Sequence, residues 1–225
     1  ETPLLEPLDL FKAKSGVEIE QQLFSFVDKG GREVALRPEM TPALARMVGK
    51  RAQSLGRPVK WFNIGEHFRY ERQQKGRLRS FYQFNVDVLG EAGPGAEVEL
   101  IALLIRSLTV FGLTNTDFKI RLSDRDLWFY FLAIRGLNGP EIEELLGIID
   151  KMERESREIT ERKIDTLLGD RASGLLDQIT LLAAVRSLED LESFFSNDGL
   201  TAGKDEINRR LEDWRILIGG LKSMG

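Results

Sequence analysis

The stretch from Phe68 to Phe84, FRYERQQKGRLRSFYQF, interleaves basic side chains with aromatic rings around a central Lys-Gly-Arg. It joins two runs that are typical of strands, Val59 to Glu71 and Ser80 to Leu89. Two such runs on either side of a short loop that contains glycine predict an antiparallel β-hairpin. Because the whole chain carries a net charge of −4, so much positive charge in one place indicates a site for an anion.

The two-residue period of a strand gives this hairpin one apolar face and one face of functional side chains. When the strands pair, the two functional faces coincide, and we call this combined surface the floor. Its members are Trp61, Asn63, Gly65, His67, Arg69 and Glu71 from the first strand, and Phe81, Gln83, Asn85 and Asp87 from the second. The apolar face carries Phe62, Ile64, Phe68, Tyr70, Tyr82, Phe84, Val86 and Val88.

The chemistry of the floor predicts a nucleotide and an amine as ligands. Arg69 can hold a phosphate in a fork of charge-assisted hydrogen bonds. Phe81 offers a ring on which a base can stack. Gln83 and Asp87 offer polar groups for a small ligand, and Asp87 can pair with an ammonium group. Phosphate, base and amine together suggest ATP plus an amino acid, with the loop 72–77 closing over the phosphates. The plainer interpretation is a solvated sheet face with a charged loop.

Composition excludes several classes of protein and of site. The 225 residues contain no cysteine and one histidine, His67, which excludes disulfides, thiolate metal sites and multi-histidine metal sites. No apolar run reaches about 18 residues, so no membrane-spanning helix is predicted. These features favour a cytoplasmic protein without a metal centre of its own. His67 is expected to be structural.

Positive charge is concentrated around the hairpin. Between Gly49 and Arg79 nine basic residues face two acidic ones, Glu66 and Glu71. The nine are Lys50, Arg51, Arg57, Lys60, Arg69, Arg72, Lys75, Arg77 and Arg79. The region after Gly139 is instead rich in Glu and Asp. The local excess predicts an anion site, whereas the whole chain is not typical of a nucleic-acid binder.

The first half of the chain mixes strands with helices. We expect a strand at Thr2 to Leu8 and a hairpin of Leu23 to Val27 with Arg32 to Leu36 across a Gly-rich turn. Thr41 is expected to be the N-cap of a helix that has Pro42 at its first position.

Farther along, a helix is predicted over Gly93 to Phe111, and the alternation of Phe118, Ile120 and Leu122 predicts a further strand. From Asp124 onward the chain is almost all helical, with breaks near Gly169 and Gly199. Strands and helices followed by helices alone favour an α+β fold, in which an antiparallel sheet with helices carries a helical appendage.

Three motifs resemble one family. FRYERQQKGRLRSFYQFNVDVLGE resembles motif 2 of class II aminoacyl-tRNA synthetases, in the form found in histidyl-tRNA synthetases. TPLLEP resembles the end of motif 1, whose proline, here Pro3, lies at the family's dimer interface. LRPEMTPALAR resembles the family's Arg-Pro-Glu-x-Thr segment. The resemblance implies that residues 1–123 are part of a class II catalytic core, 124–200 a helical insertion, and 201–225 a helix leading back to the core.

The resemblance also implies roles for individual residues. Arg69 is the catalytic residue, because it contacts the α-phosphate of ATP and stabilises the transition state. The implied ATP-binding residues are Arg69, Glu71, Arg77 and Phe81, and the implied histidine-binding residues are Glu39, Thr41, Gln83 and Asp87. The chain departs from the family at Asp87, which is usually Glu, and at Met40, which is usually Gly.

The implied activity is that of a histidine–tRNA ligase, in which ATP and Mg²⁺ convert L-histidine to histidyl-adenylate for transfer to tRNA(His). A homodimer in the cytoplasm is implied with it. The family's Arg-Gly-Leu-Asp-Tyr-Tyr block, its motif 3 and its anticodon-binding domain are not in this sequence. The chain is therefore expected to be a fragment of the catalytic core that does not catalyse the reaction alone.

Two other functions fit part of the pattern. RPEMTPALAR equally resembles the synthetase-like, histidine-binding regulatory subunits of ATP phosphoribosyltransferase in histidine biosynthesis. The intact Arg-Tyr-Glu-Arg and Lys-Gly-Arg of motif 2 favour the enzyme over this alternative, because a histidine sensor need not hold ATP. A protein-interaction module of synthetase ancestry is the third possibility. Its expected mark is loss of the ATP-phosphate arginine, and Arg69 is present.

Overall fold

A computed structural model describes residues 2–15, 21–72, 74–197 and 204–224. The chain divides into two compact units, Glu1–Ala92 and Gly93–Gly225. The first unit holds all the strands of the described residues together with two α-helices, and the second is helical. This is the mixed α+β organisation, with antiparallel sheets and helices, that the sequence predicts.

The first unit contains a three-stranded sheet and a hairpin. Its elements are β1 (Leu5–Pro7), α1 (Leu8–Ser15), β2 (Ser25–Val27), β3 (Glu33–Leu36), α2 (Thr41–Arg51), β4 (Val59–Phe68) and β5 (Ser80–Leu89). The sheet has the order β1-β3-β2, and both of its strand pairs are antiparallel. Residues 25–27 and 33–36 therefore confirm the predicted Gly-turn hairpin, with shorter strands than expected.

The hairpin of β4 and β5 has the predicted two faces. The strands are antiparallel with Asn63 opposite Asn85, so residues of the same parity share a face. The floor is the less exposed of the two faces. On the opposite face Phe62 and Tyr82 are 72% and 76% exposed, so the apolar side of this hairpin faces solvent within its unit. Strand β4 ends at Phe68, earlier than the predicted Glu71.

The helix α2 begins at Thr41, one residue earlier than predicted. Thr41 is its first residue, and Met40 occupies the N-cap position without a side-chain hydrogen bond to the helix. The prediction of Thr41 as N-cap was therefore wrong, while Pro42 lies in the first turn as expected. The reason is that Met40, with φ −90° and ψ −27°, is already helical, so its carbonyl accepts from the amide of Leu44.

The second unit is a set of helices, whose bounds follow. They are α3 (Gly95–Val110), α4 (Arg125–Ala133), α5 (Gly139–Ile149), α6 (Arg157–Leu168), a 3₁₀ turn (Gly169–Ala172), α7 (Leu175–Ala183), α8 (Leu188–Asn197) and α9 (Lys204–Ser223). Asn138 and Glu141 form a complete capping box at the start of α5. The predicted break near Gly169 is the C-cap of α6, where Gly169 has φ 57°. The predicted break at Gly199 lies outside the described residues.

The strand predicted over Phe118 to Leu122 was wrong, because the structure has no strand there. An extended segment becomes a strand only when a neighbour accepts its hydrogen bonds, and no described segment pairs with this one. The alternation of apolar residues is therefore typical of a strand, but this segment has no neighbouring strand among the described residues with which to pair. No helix within the described residues is long and apolar enough to cross a membrane.

A large apolar core holds the second unit together. Phe131, Leu132, Leu145 and Ile179 are fully buried at its centre, and α9 contributes Ile207 and Leu211. The start of α4 is tied to α9 as well, because the buried carboxylate of Asp124 accepts hydrogen bonds from Arg210 and Trp214.

Candidate active site

The strand register brings the predicted floor residues together in cross-strand pairs. Phe81 lies opposite His67, Gln83 lies opposite Gly65, and Asp87 lies opposite Trp61. Side chains of directly opposed residues are neighbours, with Cβ atoms about 5 Å apart. The base platform and the polar groups predicted for an amino acid therefore form one continuous row along β5.

Arg69 and Phe81 lie side by side at one end of this row. Arg69 follows β4 directly, and its Nε donates to the carbonyl of Pro38 at 3.1 Å. Its Cζ lies 5.5 Å from the centroid of the Phe81 ring, within the range of a cation–π contact. A nucleotide whose base stacks on Phe81 thus has a guanidinium within reach of its phosphates.

The loop between the strands is closed by an ion pair. Arg77 Nη1 donates to Glu71 Oε2 at 2.8 Å, and a β-bridge joins Gln74 and Arg77 around Gly76, whose φ is +83°. The predicted ATP contacts Glu71 and Arg77 are therefore paired with each other. Because Arg77 is mostly exposed, this pair contributes little stability and can reorganise around a ligand at small cost.

The segment Arg37 to Thr41 approaches the hairpin from the three-stranded sheet. The amide of Phe68 donates to the carbonyl of Arg37 at 3.0 Å, which fixes the segment to the end of β4. Glu39 is half-buried, and the side chain of Thr41 is exposed at the start of α2. The structure thus attaches the segment of Glu39 and Thr41 to the strand that carries the floor.

Two sequence-predicted positions lie off the floor. Met40 is buried, and its sulfur accepts a hydrogen bond from Thr2 Oγ1 at 3.2 Å, so the side chain that replaces the family's usual glycine is turned toward residue 2. Pro3 is exposed in the segment that leads into β1.

Electrostatics at the floor are set by burial. His67 is fully buried, and burial, together with the charges of Arg37 and Arg69, lowers the pKa of its imidazole. Its Nδ1 lies 2.9 Å from the carbonyl of Gly65, which fits a neutral ring that donates from Nδ1. Burial raises the pKa of the Asp87 carboxyl, because burial disfavours the charged carboxylate. A cation bound beside Asp87 would stabilise the carboxylate form.

Four buried polar atoms of the floor have no hydrogen-bond partner among the residues that the structure describes. They are Asn63 Oδ1, His67 Nε2, Gln83 Oε1 and Asn85 Nδ2. A buried polar atom that finds no partner costs about 1–3 kcal/mol, so a ligand that pairs with these atoms would gain from each hydrogen bond it makes. Three of the four are acceptors, as is the Asp87 carboxylate. The arrangement therefore favours a ligand rich in N–H donors, such as an ammonium group or an imidazole.

Sequence reasoning missed Arg37 and the purpose of Gly65. Arg37 is 5% exposed, and its guanidinium occupies the space where a Gly65 side chain would lie. A glycine inside a strand signals close approach of another group, so Gly65 carried a usable signal. The approaching group belongs to Arg37, which lies 28 positions earlier in the chain, and a local sequence pattern does not predict so distant a contact.

A family model described as histidyl-tRNA synthetase matches residues 1–217. The chain belongs to the histidyl-tRNA synthetase family. It is 50% identical to a histidine–tRNA ligase of Opitutus terrae over the whole chain and half of that relative's length. It is 36% identical to a histidine–tRNA ligase of Halobacterium salinarum over the same shares. The chain thus spans about half the length of these curated relatives.

Solved structures share the fold of this family member. Histidyl-tRNA synthetase from a Nostoc species aligns over the whole chain and 50% of its own, with a TM-score of 0.77 and 18% identity. A protein of Bacillus halodurans described as an ATP phosphoribosyltransferase regulatory subunit/histidyl-tRNA synthetase aligns over the whole chain and 56% of its own, with a TM-score of 0.76 and 23% identity. At such identities the likeness shows the fold alone.

Proposed function

We propose that this chain is the ATP- and histidine-binding part of a histidine–tRNA ligase. The observation that carries the proposal is the single row formed by Arg69, Phe81, Gln83 and Asp87, which offers a phosphate fork, a base platform and acceptors for an amine on one surface. Membership of the histidyl-tRNA synthetase family supports the same assignment.

The reaction begins with attack of a histidine carboxylate oxygen on the α-phosphorus of ATP. A C–O–P bond forms, the bond from the α-phosphorus to the bridging oxygen breaks, and pyrophosphate leaves with that electron pair. Negative charge grows on the non-bridging oxygens of the α-phosphate. Arg69, oriented by the Pro38 carbonyl, stabilises that charge, so catalysis depends on positioning and electrostatics without a general base. The histidyl group is then transferred to a hydroxyl oxygen of tRNA(His): an ester bond forms, the bond from the acyl carbon to the phosphate oxygen breaks, and AMP leaves with that electron pair.

Histidine is held from two sides in this proposal. The Glu39 carboxylate approaches from the segment before α2 and the Thr41 hydroxyl from the first residue of α2, whereas Gln83 and Asp87 approach from β5. These oxygens match the N–H donors of an α-ammonium group. Asp87, one methylene shorter than the family's usual Glu, holds its carboxylate closer to the strand.

The nucleotide is held by Phe81 under the base, with Glu71 and Arg77 at its edge. Mg²⁺ would enter with ATP and would neutralise part of the phosphate charge. Across the described residues no group of three or more metal-binding side chains occurs. The phosphates are therefore the principal ligands in this proposal, in keeping with the way Mg²⁺ is usually held.

We extend the proposal to the rest of the chain. Residues 1–123 are part of the class II core, the helices of 124–200 are an insertion that contacts tRNA, and 201–225 lead back to the core. A cytoplasmic homodimer with Pro3 at its interface completes the assignment. The histidine-binding regulatory subunit of ATP phosphoribosyltransferase is the competing function, since a protein carrying that description shares the fold.

The test is histidine-dependent exchange of pyrophosphate into ATP by the full-length protein. We expect exchange with histidine and with no other amino acid, and a fall in kcat of about 100-fold or more for Arg69→Ala with little change in KM for histidine. Arg32→Ala is the matched control, because Arg32 is an exposed arginine of the same unit.

Two outcomes would count against the proposal. Histidine binding by the full-length protein that ATP leaves unchanged, without exchange, would assign it to the regulatory class. Equal losses in kcat and in histidine affinity for Arg69→Ala would make Arg69 structural. The chain of 225 residues spans about half the length of its curated relatives, so we expect it to show no exchange alone, and robust exchange by it would contradict that expectation.

A further inference from the structure

We propose that Arg37 is a positioning residue for amino-acid recognition, which holds the Glu39–Thr41 segment in register with Gln83 by resting on Gly65. The proposal rests on the proposed function, because it concerns the residues assigned there to histidine. It adds a residue that touches no substrate and acts through those that do.

Arg37 is nearly completely buried, and its side chain binds two separate parts of the first unit. Nη1 donates to the carbonyl and to Oγ1 of Thr2, at 3.1 and 2.7 Å. Nε donates to the carbonyl of Glu66 at 3.0 Å. The planar guanidinium therefore fixes the distance between the segment that leads into β1 and strand β4, with directional bonds that an ammonium group cannot reproduce.

The backbone of Arg37 binds the same two parts. Its amide donates to the carbonyl of Leu4 at 2.9 Å, and its carbonyl accepts from the amide of Phe68 at 3.0 Å. Side chain and main chain together make Arg37 the point at which three segments meet. Glu39 and Thr41 follow it by two and four residues, so their position relative to the floor is determined here.

Gly65 supplies the surface on which the guanidinium lies. A Cβ at this position would stand 2.5 Å from Arg37 Nη2 and 2.9 Å from Asn63 Oδ1, closer than real Cβ atoms approach. The backbone of Gly65 has no positive φ, so the glycine is required for space and not for conformation. Because Gln83 is the register partner of Gly65, the guanidinium rests beside the residue assigned to the amine.

The consequence is a specific kinetic effect. If the guanidinium is displaced, the Glu39–Thr41 segment shifts relative to Gln83, and histidine loses contacts from one side. Phe81 and Arg77 belong to the hairpin and its loop, so their contacts with ATP are retained. Because Pro38 moves with the segment and its carbonyl orients Arg69, kcat is expected to fall as well. A displacement of about 1 Å can cost about 100-fold in rate when recognition depends on alignment.

The experiment measures KM and kcat of pyrophosphate exchange in the full-length protein for Arg37→Lys, Gly65→Ala and the double variant. Each single variant is expected to raise KM for histidine about tenfold or more, with KM for ATP changed less than about threefold. Because Arg37→Lys removes the guanidinium that Gly65→Ala displaces, the double variant should be no worse than the more impaired single variant. Gly49→Ala is the control, since a Cβ there meets no atom within 4 Å.

Each remaining outcome decides against the proposal. A loss of kcat that matches the loss of folded protein by circular dichroism, with both KM values unchanged, would make Arg37 purely structural. Additive effects in the double variant would show that Gly65 does not act through Arg37. Absence of histidine-dependent exchange in the wild-type protein would instead overturn the proposed function, and this inference with it.

Discussion

The helical unit and the strand-containing unit differ in how they treat their interiors. The described part of the helical unit has a continuous cluster of 17 buried apolar residues, and its buried carboxylate, Asp124, accepts hydrogen bonds from three residues. The strand-containing unit has a described cluster of four, Leu8, Phe11, Leu23 and Ala35, beside a floor with four unsatisfied polar atoms. The helical unit therefore has the larger packed core, and the strand-containing unit carries the polar surface to which we assign a ligand, a division expected where stability and function compete.

The largest effect that tests this contrast is removal of a ring from the helical core. Phe131 is fully buried and contacts Trp128, Phe194 and Phe195. We expect Phe131→Ala to lower the free energy of unfolding by about 3–5 kcal/mol, through lost contacts and a cavity. Urea denaturation followed by far-ultraviolet circular dichroism measures it. Phe129→Ala, at an exposed position of the same helix, is the control, and a loss no larger than the control's would contradict the assigned core.

The second effect concerns the buried carboxylate at the start of α4. Asp124 accepts from Arg210 at 2.6 and 2.9 Å, from Trp214 at 3.0 Å and from the amide of Leu127 at 3.0 Å. Asp124→Ala should cost about 3 kcal/mol in the same denaturation assay, because it removes a helix cap and the buried carboxylate that Arg210 and Trp214 share, and leaves Arg210 with its ion pair to Asp213 alone.

Asp177→Ala is the matched control for Asp124→Ala. It breaks an ion pair with Arg157 in which both side chains are more than half exposed, and should change stability by less than about 1 kcal/mol. Equal losses for the two variants would mean that burial of Asp124 does not matter.

A smaller effect should have the opposite sign in the strand-containing unit. Gln83 Oε1 is buried, and no described residue is its hydrogen-bond partner, so Gln83→Met should leave the free energy of unfolding unchanged or raise it by about 1 kcal/mol. The same variant of the full-length protein should bind histidine about tenfold more weakly by calorimetry.

The control is Thr160→Val in the helical unit. It removes a hydroxyl that donates to the carbonyl of Ser156, and it should lower the free energy of unfolding by about 1 kcal/mol. If Gln83→Met destabilised the protein, the two units would not differ in how their buried polar groups are satisfied.

The smallest effect is a dependence on pH that belongs to one unit only. His67 is the single histidine, and burial lowers the pKa of its imidazole in the folded protein. Below about pH 6.5 the unfolded chain therefore binds a proton at His67 more readily than the folded protein does. Stability is therefore complete above that pH and falls as the pH drops toward 5.5. The loss should be absent in His67→Leu, as measured by urea denaturation at pH 7.5 and 5.5. An unchanged loss in the variant would assign it to carboxylates.

The sequence predicted the floor better than its surroundings. Alternation along two strands placed Phe81, Gln83 and Asp87 on one face, because strand period and antiparallel register follow from local chemistry. The strand at Phe118 to Leu122 failed, since a strand also needs a partner that no local pattern supplies. The contact between Arg37 and Gly65 was missed for the same reason.

Helix limits were predictable only where the cap is local. Asn138 and Glu141 form the capping box that their three-residue spacing indicates. The prediction at Thr41 failed because the backbone of Met40 is already helical. The helix therefore starts one residue earlier in the chain, with Met40 and not Thr41 at the N-cap position. The first case depends on two neighbouring side chains, the second on a methionine buried against Thr2.

The link from Asp124 to Arg210 and Trp214 has a consequence for synthesis on the ribosome. The helices of this unit are made in chain order, so α9, which ties down residue 124 and adds Ile207 and Leu211 to the core, is translated after α4 to α8. Closing so long a loop carries an entropic cost that only the finished core repays. The nascent unit is therefore expected to stay incompletely folded, with apolar helix faces available to chaperones, until α9 has left the exit tunnel.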